Sequence, residues 1–300
     1  VGRTIYAAVD SRGFRPMVIG RLGGGLVVAS ETCALDLIGA TVVRELLPGD
    51  FVKIDDGELV DLPRLAARRV SRCIFELVYF SRPDSIVFGE SVNNVRRELG
   101  RKLARYHPAP GADVVFSVPD SSNTMALGYS EESGVKLENG LIRNHYVGRT
   151  FINPVQALRV QKVKIKFNPV RDVINGRSVV VIDDSLVRGT TSKGLVGMIK
   201  DAGAREVHLR LASPPITGPC HYGIATPTRE ELIASSHSVE EIRQYLGVDS
   251  LEYLTLDEMI DAAGQRNEWC HACFSGDYPT PVQLTLDSLR HSSPPVTATV

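Results

Sequence analysis

The fold is decided by the stretch RSVVVIDDSLVRGTTS, residues 177–192 of the 300-residue chain. It opens with four β-branched residues, Val179 to Ile182, the composition of a strand that is buried on both faces. Two acids, Asp183 and Asp184, end this run. Gly189 and three hydroxyl residues then lead into a helical pattern over 193–202. The order predicts a strand, a ligand-binding loop and a helix.

This order suits a phosphorylated sugar as the ligand. A helix N-terminus offers free backbone N–H groups and a partial positive charge to a phosphate, and Gly189 followed by small residues lets the phosphate come close to the backbone. The two carboxylates can accept hydrogen bonds from sugar hydroxyls or hold a hydrated divalent cation. Acid pairs also end strands in phosphoacceptor pockets and cap helices, so those alternatives stay open. The sequence G-x-x-x-x-G-K-[ST] is absent, which excludes a nucleotide P-loop, and no G-x-G-x-x-G precedes the loop.

A second strand ends in the same way. The apolar run ADVVFSV, residues 112–118, stops at the polar turn PDSSN, which precedes a helical pattern over about 124–133. Further strands are predicted in EVHLRLAS, residues 206–213, and in LEYLTL, residues 251–256. Because the carboxyl ends of parallel strands meet at one edge of a sheet, two such ends with acids and hydroxyls predict a ligand crevice.

VVVIDDSLVRGTTS is similar to the phosphoribosyl pyrophosphate signature of type I phosphoribosyltransferases. More narrowly, the chain resembles amidophosphoribosyltransferases, the glutamine-dependent first enzymes of purine synthesis. The segments that carry this narrower resemblance are RNHYVGRTFI (143–152), SPPITGPCHYGI (213–224), ELIASSHSVEEIRQYLG (231–247) and CHACFSGDYPT (270–280). The resemblance covers nearly the whole chain. It implies an α/β fold, a type I phosphoribosyltransferase fold with a parallel sheet, preceded by a partial Ntn-hydrolase (glutaminase) β-rich segment.

The resemblance also implies roles for residues at the crevice. Asp183 and Asp184 are the catalytic acids and, with Ser122, the Mg²⁺ ligands. Taken alone, Ser121 or Ser122 would be an ordinary helix N-cap. The resemblance implies that substrate-binding residues surround these acids, namely Asp120, Ser121, Ser185, Arg188, Gly189, Thr190, Thr191 and Ser192.

A basic loop, GLIRNHYVGRTFINP at residues 140–154, is long enough to be a lid. In the family this segment closes over the substrate diphosphate, which implies substrate binding by Arg143 and Tyr146 and a catalytic role for Arg149. The family usually has lysine at the Arg143 position and often arginine at the His145 position. A solvent loop with incidental charges is the alternative.

The five cysteines argue against a secreted disulfide framework, because an odd number of cysteines cannot all pair with one another. Cys270 and Cys273 form C-x-x-C, which redox dithiols, zinc sites and iron–sulfur clusters share. With Cys73 and Cys220 they make four thiolates, which satisfy tetrahedral zinc or a [4Fe-4S] cluster, and a merely buried set is the alternative. The resemblance to the iron–sulfur branch of the family implies a structural [4Fe-4S] cluster at these four cysteines.

The first sixty-odd residues read as strands, in TIYAAVD (4–10), GGLVVASE (24–31), ATVVREL (40–46) and DFVKIDD (50–56), with one helix near 33–38. The resemblance implies the latter part of a glutaminase domain. Glutaminases of this type use an N-terminal cysteine, whereas position 1 is Val1. We therefore expect a chain that lacks the N-terminal part of that domain and does not hydrolyse glutamine. Cys33 is expected to be a buried structural cysteine.

Three regions are expected. Residues 1–70 form the C-terminal part of the glutaminase domain, 71–285 the phosphoribosyltransferase domain with a cluster-binding extension, and 286–300 a disordered tail with few large apolar residues. Within the second region, the run RCIFELVYFSRPDS at 72–85 suggests a strand, and helices are predicted at about 93–106 and in SHSVEEIRQYLG.

Composition limits the partners. The chain is 43% hydrophobic and 23% charged, which is ordinary for a globular protein, and its formal net charge is −1. That charge gives no general field for nucleic acid or an anionic membrane. No apolar run reaches the 18 or more residues of a membrane span, and no signal peptide is apparent. We expect a cytoplasmic protein with no nucleic-acid or membrane partner.

The implied reaction joins ammonia, derived from glutamine in the family, to phosphoribosyl pyrophosphate, and it forms 5-phosphoribosylamine and pyrophosphate. This chain is expected to use added ammonia only. Purine nucleotides are the implied feedback inhibitors, and a homo-oligomer, tetrameric in the family, is the implied assembly. The alternatives are a phosphoribosyl pyrophosphate-binding regulator, although no nucleic-acid-binding module is visible, and a nucleobase phosphoribosyltransferase, which needs a base-recognising hood.

Overall fold

The computed structural model describes residues 4–66, 68–144, 166–264 and 267–281. Its first part contains β1 (Ile5–Ala8), β2 (Val18–Leu22), β3 (Gly25–Ala29), α1 (Thr32–Leu37), β4 (Thr41–Glu45), β5 (Phe51–Asp55) and β6 (Glu58–Asp61). Two antiparallel sheets result, in the orders β1-β5-β6 and β3-β2-β4. Ala7, Ile19, Leu46 and Val52 form the buried core that these sheets share. The predicted β-rich region with one short helix is therefore confirmed.

The rest of the described chain adds longer helices and short strands. These elements are β7 (Arg72–Cys73), β8 (Ile86–Val87), β9 (Glu90–Ser91), α2 (Val92–Tyr106), β10 (Val114–Ser117), α3 (Asn123–Ser133), β11 (Lys136–Leu137), β12 (Leu141–Arg143), β13 (Phe167–Pro169), α4 (Arg171–Ile174), β14 (Ser178–Asp183), α5 (Thr190–Asp201), β15 (Glu206–Leu211), α6 (Val239–Leu246), β16 (Ser250–Tyr253), α7 (Leu256–Ala262), β17 (Trp269–Cys270) and α8 (Ala272–Ser275). A π-helical segment covers Glu76–Phe80, and two 3₁₀ turns cover Arg229–Glu231 and Ile233–Ser235.

A parallel sheet in the order β11-β10-β14-β15-β16 organises this region. Its central strand β14 is buried on both faces, as the β-branched run predicts. Val179 and Val181 pack into the core on one face, and Val180 and Ile182 pack into the core on the other. The α/β fold class with a parallel sheet is confirmed. Since β10 and β14 run parallel, their carboxyl ends lie side by side.

Two glycines allow α2 and α3 to cross closely. A Cβ atom on Gly100 would lie 1.9 Å from the carbonyl oxygen of Met125, and one on Gly128 would lie 1.9 Å from that of Arg97. Only glycine permits two backbones to approach so closely. The contact fixes the start of α3, where Ser122 occupies the N-cap position.

The strand predicted for residues 72–85 is wrong beyond its first two residues. After Arg72–Cys73 the chain turns into the π-helical segment. Ile74, Leu77 and Val78 are all buried in one core cluster. Their i, i+3, i+4 spacing is helical, and this spacing, rather than the apolar content of the run, decides its structure.

Two helix predictions are confirmed in detail. The helix predicted near 93–106 is α2, whose N-cap Ser91 accepts a hydrogen bond from the N–H of Asn94 at 3.4 Å. Ser238 and Glu241 form the capping box that begins α6, and Gly247 ends that helix with a φ of +72°. Among the helices of the described residues, none combines the length and the hydropathy that a bilayer crossing needs.

Candidate active site

The two acids at the end of β14 meet three serine hydroxyls. Ser121 Oγ donates to Asp184 Oδ2 at 2.5 Å, and Ser185 Oγ donates to Asp184 Oδ1 at 2.7 Å. Ser122 Oγ donates to Asp183 Oδ1 at 3.3 Å. The structure therefore brings Asp183 and Asp184 together with the serines after β10, across the sheet edge that the sequence predicts.

Burial raises the pKa values of both carboxyl groups of this pair. Asp184 is 5% exposed, and Asp183 is half-buried beside it. Burial, and then the charge of Asp184, raise the pKa of Asp183 well above its ordinary value. Burial also raises the pKa of Asp184, although the hydrogen bonds from Ser121 and Ser185 oppose the shift. A divalent cation would relieve the repulsion between two such acids, so their environment fits a Mg²⁺ ligand pair.

Two nearby cations are absent from the sequence prediction. Arg96 is 1% exposed on α2, and its guanidinium donates to the carbonyl oxygens of Leu77 and Ser81 at 2.9 and 2.7 Å. The positive charge of Arg96 acts to lower the pKa of Asp184, and that of Lys166 acts to lower the pKa of Asp183. Arg96 is four residues before Gly100 on a helix face that reads as basic and solvated, so periodicity gave no signal for it.

The predicted lid begins beside the turn that follows β10. Arg143, on β12, forms an ion pair with Asp120, which follows β10 across a cis peptide bond from Pro119. The Nε atom of Arg143 is buried and has no hydrogen-bond partner among the described residues. The other predicted lid residues, Tyr146 and Arg149, and also His145, lie outside the described residues.

The predicted phosphate loop joins β14 to α5. Gly189 occupies the N-cap position of α5 with a φ of +74°, in the left-handed region that favours glycine. Thr190, Thr191 and Ser192 make up the first turn of the helix. The N–H groups of that turn have no intrahelical acceptor, so the loop can bind an anion.

Arg188 joins this loop to a distant acid. Its Nη2 lies 2.9 Å from Glu231 Oε1. As in Arg143, its Nε is buried without a hydrogen-bond partner in the described part of the chain. On the other side of the loop, the Nζ atom of Lys193 lies 4.1 Å from the centre of the Tyr245 ring. The sequence indicated neither Glu231 nor Tyr245 as a neighbour of the loop, because both come from the segment after β15.

The four cysteines predicted to bind a cluster share one region. Cys270 lies opposite Cys73 in the parallel pair β17–β7. The Cys273 thiol interacts electrostatically with all three other thiols, of Cys73, Cys220 and Cys270. Burial raises the pKa of Cys73 to about 12 and also raises the pKa of Cys270. Four sulfur donors from three separate segments are the kind of donor set that a four-thiolate centre uses.

The side chains do not adopt a coordination geometry. Within 4–66, 68–144, 166–264 and 267–281, no three His, Cys, Asp or Glu side chains are arranged to hold a metal ion. All five cysteines are free. Cys33, on α1, is buried with its sulfur 3.8 Å from a Glu31 carboxylate oxygen, and burial raises its pKa. That placement agrees with the structural role expected for Cys33.

The α/β fold with its five-stranded parallel sheet is consistent with the fold of type I phosphoribosyltransferases. Comparison with known proteins gives a narrower similarity. The chain is 51% identical over 276 residues to an amidophosphoribosyltransferase of Archaeoglobus fulgidus, covering 91% of this chain and 60% of the relative. It is 50% identical over 283 residues to the amidophosphoribosyltransferase of Bacillus subtilis, covering 93% of this chain and 59% of the relative.

The chain is also similar to a solved structure over most of its length. The glutamine phosphoribosylpyrophosphate amidotransferase from Bacillus subtilis, complexed with ADP and GMP, has a TM-score of 0.86 and 48% identity, covering 96% of this chain and 64% of that one. No protein-family model matches the chain. The resemblance drawn from the motifs is confirmed: the chain is homologous to amidophosphoribosyltransferases and spans about three-fifths of the length of the relatives it matches.

Proposed function

We propose that this chain transfers the phosphoribosyl group of phosphoribosyl pyrophosphate to ammonia. The bond from carbon 1 of the ribose to pyrophosphate breaks as the carbon–nitrogen bond forms, and the attacking nitrogen loses a proton to solvent. The products are 5-phosphoribosylamine and pyrophosphate. One observation carries the proposal: the hydrogen-bonded pair Asp183 and Asp184 lies at the same sheet edge as the serines after β10 and the helix N-terminus at Gly189.

In this proposal the acids bind the ribose. Asp183 and Asp184 accept hydrogen bonds from the ribose hydroxyls and, with Ser122, hold Mg²⁺. When bound, Mg²⁺ supplies charge neutralisation for the departing diphosphate, an effect worth several kcal/mol. Ammonia is already a nucleophile, so the reaction needs no strong general base. The main task of the acids is to orient the sugar as positive charge develops on it.

The two ends of the substrate bind to opposite sides of these acids. The 5-phosphate binds to the loop of Ser185 and Arg188 to Ser192, where Gly189 opens the first turn of α5 to an anion. The diphosphate binds near Asp120, Ser121 and Arg143. We propose that Tyr146 and Arg149 close over it and exclude water.

We further propose that Cys73, Cys220, Cys270 and Cys273 hold a structural [4Fe-4S] cluster. The proposal is supported by the electrostatic interaction of the Cys273 thiol with the other three. The cluster would tie residues 270–273, at the C-terminal side of the fold, to β7 and to the segment after β15. Anaerobically purified protein should contain iron and acid-labile sulfide, and a variant with serine at all four positions should contain neither.

The transfer is tested by measuring pyrophosphate release from phosphoribosyl pyrophosphate and Mg²⁺. Release that requires ammonia supports the proposal. Release that requires a nucleobase supports the alternative of a nucleobase phosphoribosyltransferase, and binding without release supports a regulator. Parallel assays with glutamine test the expectation that only ammonia serves.

The acid pair is tested by Asp183→Asn, with Asp61→Asn as the matched control on an exposed residue of β6. We expect Asp183→Asn to lower the rate by about a hundredfold or more. It should also raise the melting temperature near neutral pH, because a carboxyl whose pKa is raised in the folded state destabilises the fold at pH values above that pKa. A variant as active as the Asp61→Asn control would refute the assigned role.

The remaining expectations extend the proposal to the whole protein. Binding of ADP and GMP in the Bacillus subtilis structure supports purine nucleotides as feedback inhibitors here as well. We propose a homo-oligomer, tetrameric as the family resemblance implies, to be measured by light scattering. Five free cysteines suit the cytoplasmic location proposed. The division at about residue 70 is part of the same proposal, and the tail predicted for 286–300 lies outside the described residues.

A further inference from the structure

The turn after β1 is held rigidly by its own backbone. The Asp10 carboxylate accepts hydrogen bonds from the N–H groups of Arg12, Gly13 and Phe14 at 2.8, 3.0 and 2.9 Å. Gly13 has a φ of +70°, and a Cβ atom on it would lie 2.6 Å from Pro48 Cγ. The turn therefore presents its last residues in a fixed orientation.

These last residues are linked to two of the four clustered cysteines, one directly and one through Tyr222. The N–H of Cys73 donates to the carbonyl oxygen of Phe14 at 3.1 Å. The Phe14 ring stacks on the Tyr222 ring, with 4.2 Å between centroids and 12° between planes. The N–H of Tyr222 donates to Cys220 Sγ at 3.3 Å. The turn thus bridges the two cysteines that lie farthest from the C-x-x-C pair in sequence.

Arg15 completes this bridge with a charge. Its Nε donates to the Tyr222 carbonyl oxygen at 3.3 Å, and its Nη1 lies 2.5 Å from Glu76 Oε1. Burial acts to lower the pKa of Arg15, but the nearby Cys73 and Glu76, together with Cys220, outweigh burial and raise it. The guanidinium therefore pairs with one buried acid and binds the backbone of Tyr222, whose own N–H donates to Cys220 Sγ.

We propose that Arg15 is the residue that compensates the negative charge of the four-thiolate centre, and that Glu76 sets how much of the Arg15 charge the centre receives. The inference rests on the proposed cluster at Cys73, Cys220, Cys270 and Cys273. It assigns to the β-rich segment a positioning role in a metal centre whose ligands all lie outside that segment.

The sign of each effect follows from electrostatics. Four thiolates leave an iron–sulfur centre with net negative charge, and reduction by one electron makes it more negative. The reduction potential of such a centre depends on net charge and on nearby hydrogen bonds. Removing the Arg15 cation should therefore lower the potential. Removing the Glu76 anion, which is 7% exposed and within 2.5 Å of the guanidinium, should raise it.

The experiment uses the full chain, reconstituted anaerobically with ferrous and ferric iron in equal amounts and with sulfide. Arg15→Gln and Glu76→Gln are compared with the wild type and with a matched control, Arg44→Gln, from an ion pair of Arg44 with exposed Asp61 in the same segment. The measurements are iron and sulfide per chain, the reduction potential, and the rate at which the cluster is lost in air. Mutation of a residue that supports a metal ligand typically lowers metal affinity by about 10- to 100-fold.

We expect Arg15→Gln to lose iron about tenfold or more faster than the wild type and to have a lower potential. Glu76→Gln should have a higher potential, and Arg44→Gln should match the wild type. Opposite shifts cannot come from a general loosening of the fold. If Arg15→Gln does not fold, Arg15→Lys, which keeps the charge, and Glu76→Gln decide the question by their potentials.

The possible failures are distinct. A wild-type chain that binds no iron would refute the proposed cluster, and the role of Arg15 would be refuted with it. A wild-type chain that holds the cluster, with unchanged potentials and loss rates in Arg15→Gln and Glu76→Gln, would refute the role of Arg15 alone. Shifts of the same sign in both variants would also contradict it.

Discussion

Replacing Gly189 by alanine should weaken binding of phosphoribosyl pyrophosphate in addition to weakening the fold. Gly189 has a φ of +74°, and a non-glycine residue in this left-handed region costs about 1–2 kcal/mol. A Cβ atom there would lie 2.9 Å from Ile233 Cδ1 and 3.2 Å from Tyr245 Cε1. Both contacts are with side chains, and the nearer one is with the flexible end of Ile233, so the main stability cost is that of the backbone conformation.

The loss of binding has a different origin. If Gly189 moves to relieve its backbone, the free N–H groups at the start of α5 turn away from the phosphate. A hydrogen bond to a charged group contributes about 1.5–3 kcal/mol. Since about 1.4 kcal/mol corresponds to a tenfold change in affinity, the loss of one such bond should weaken binding roughly 10- to 100-fold. Isothermal titration with phosphoribosyl pyrophosphate and Mg²⁺ measures this change.

Gly134→Ala is the matched control. Gly134 also has a φ of +74°, at the end of α3, but a Cβ atom there would have no neighbour within 4 Å. Each variant should lower the melting temperature by about 2–8 °C for its 1–2 kcal/mol. Only Gly189→Ala should lose affinity. Equal affinities in the two variants would refute the assignment of this loop to a phosphate.

Acid should destabilise the fold through His208, because burial and the neighbouring Arg210 lower its pKa below the ordinary 6.5. The unfolded chain then binds a proton that the folded chain does not, so the free energy of unfolding should fall as the pH drops through about 6.5. Urea titrations at several pH values measure this slope, and His208→Gln should reduce it. An unchanged slope in the variant would contradict the reasoning. Gly100→Ala should lower the free energy of unfolding by at least about 3 kcal/mol, because its Cβ would overlap the Met125 carbonyl oxygen. Gly197→Ala, on an open helix face, should instead raise the free energy of unfolding by as much as about 1 kcal/mol. Thermal unfolding measures both changes. Similar melting temperatures for the two glycine variants would rule out the close helix crossing as the cause.

The central sheet could be predicted because its signals are local. A strand buried on both faces needs a continuous apolar run, and Val179 to Ile182 supplies one. The acids and the hydroxyl residues follow directly after strands, so their positions at one sheet edge come from the parallel topology alone. Helix ends were predictable for the same reason, since Ser238 and Gly247 carry their capping chemistry within the helix sequence.

Other elements depend on partners that are remote in sequence. Strand β2, Val18–Leu22, is the central strand of its sheet, and the sequence prediction missed it. Its Gly20 weakens the strand signal, but a Cβ atom there would lie 2.8 Å from Leu35 on α1. The glycine is therefore required by the helix that packs on the strand. The π-helical segment at Glu76–Phe80 is different, because the helical spacing of Ile74, Leu77 and Val78 is present in the sequence itself.

At the site, the sequence identified Arg143, Arg188 and Asp120, but neither the ion pairs that the two arginines form nor Glu231 as one of the partners. Arg143 pairs with Asp120 and Arg188 pairs with Glu231, and all four side chains are between 29% and 53% exposed. Ion pairs this exposed contribute only about 0–1 kcal/mol, so a phosphate can displace the acid at little cost. The acids therefore orient the two guanidinium groups, and a phosphate that displaces an acid gains the Nη donor that the acid releases.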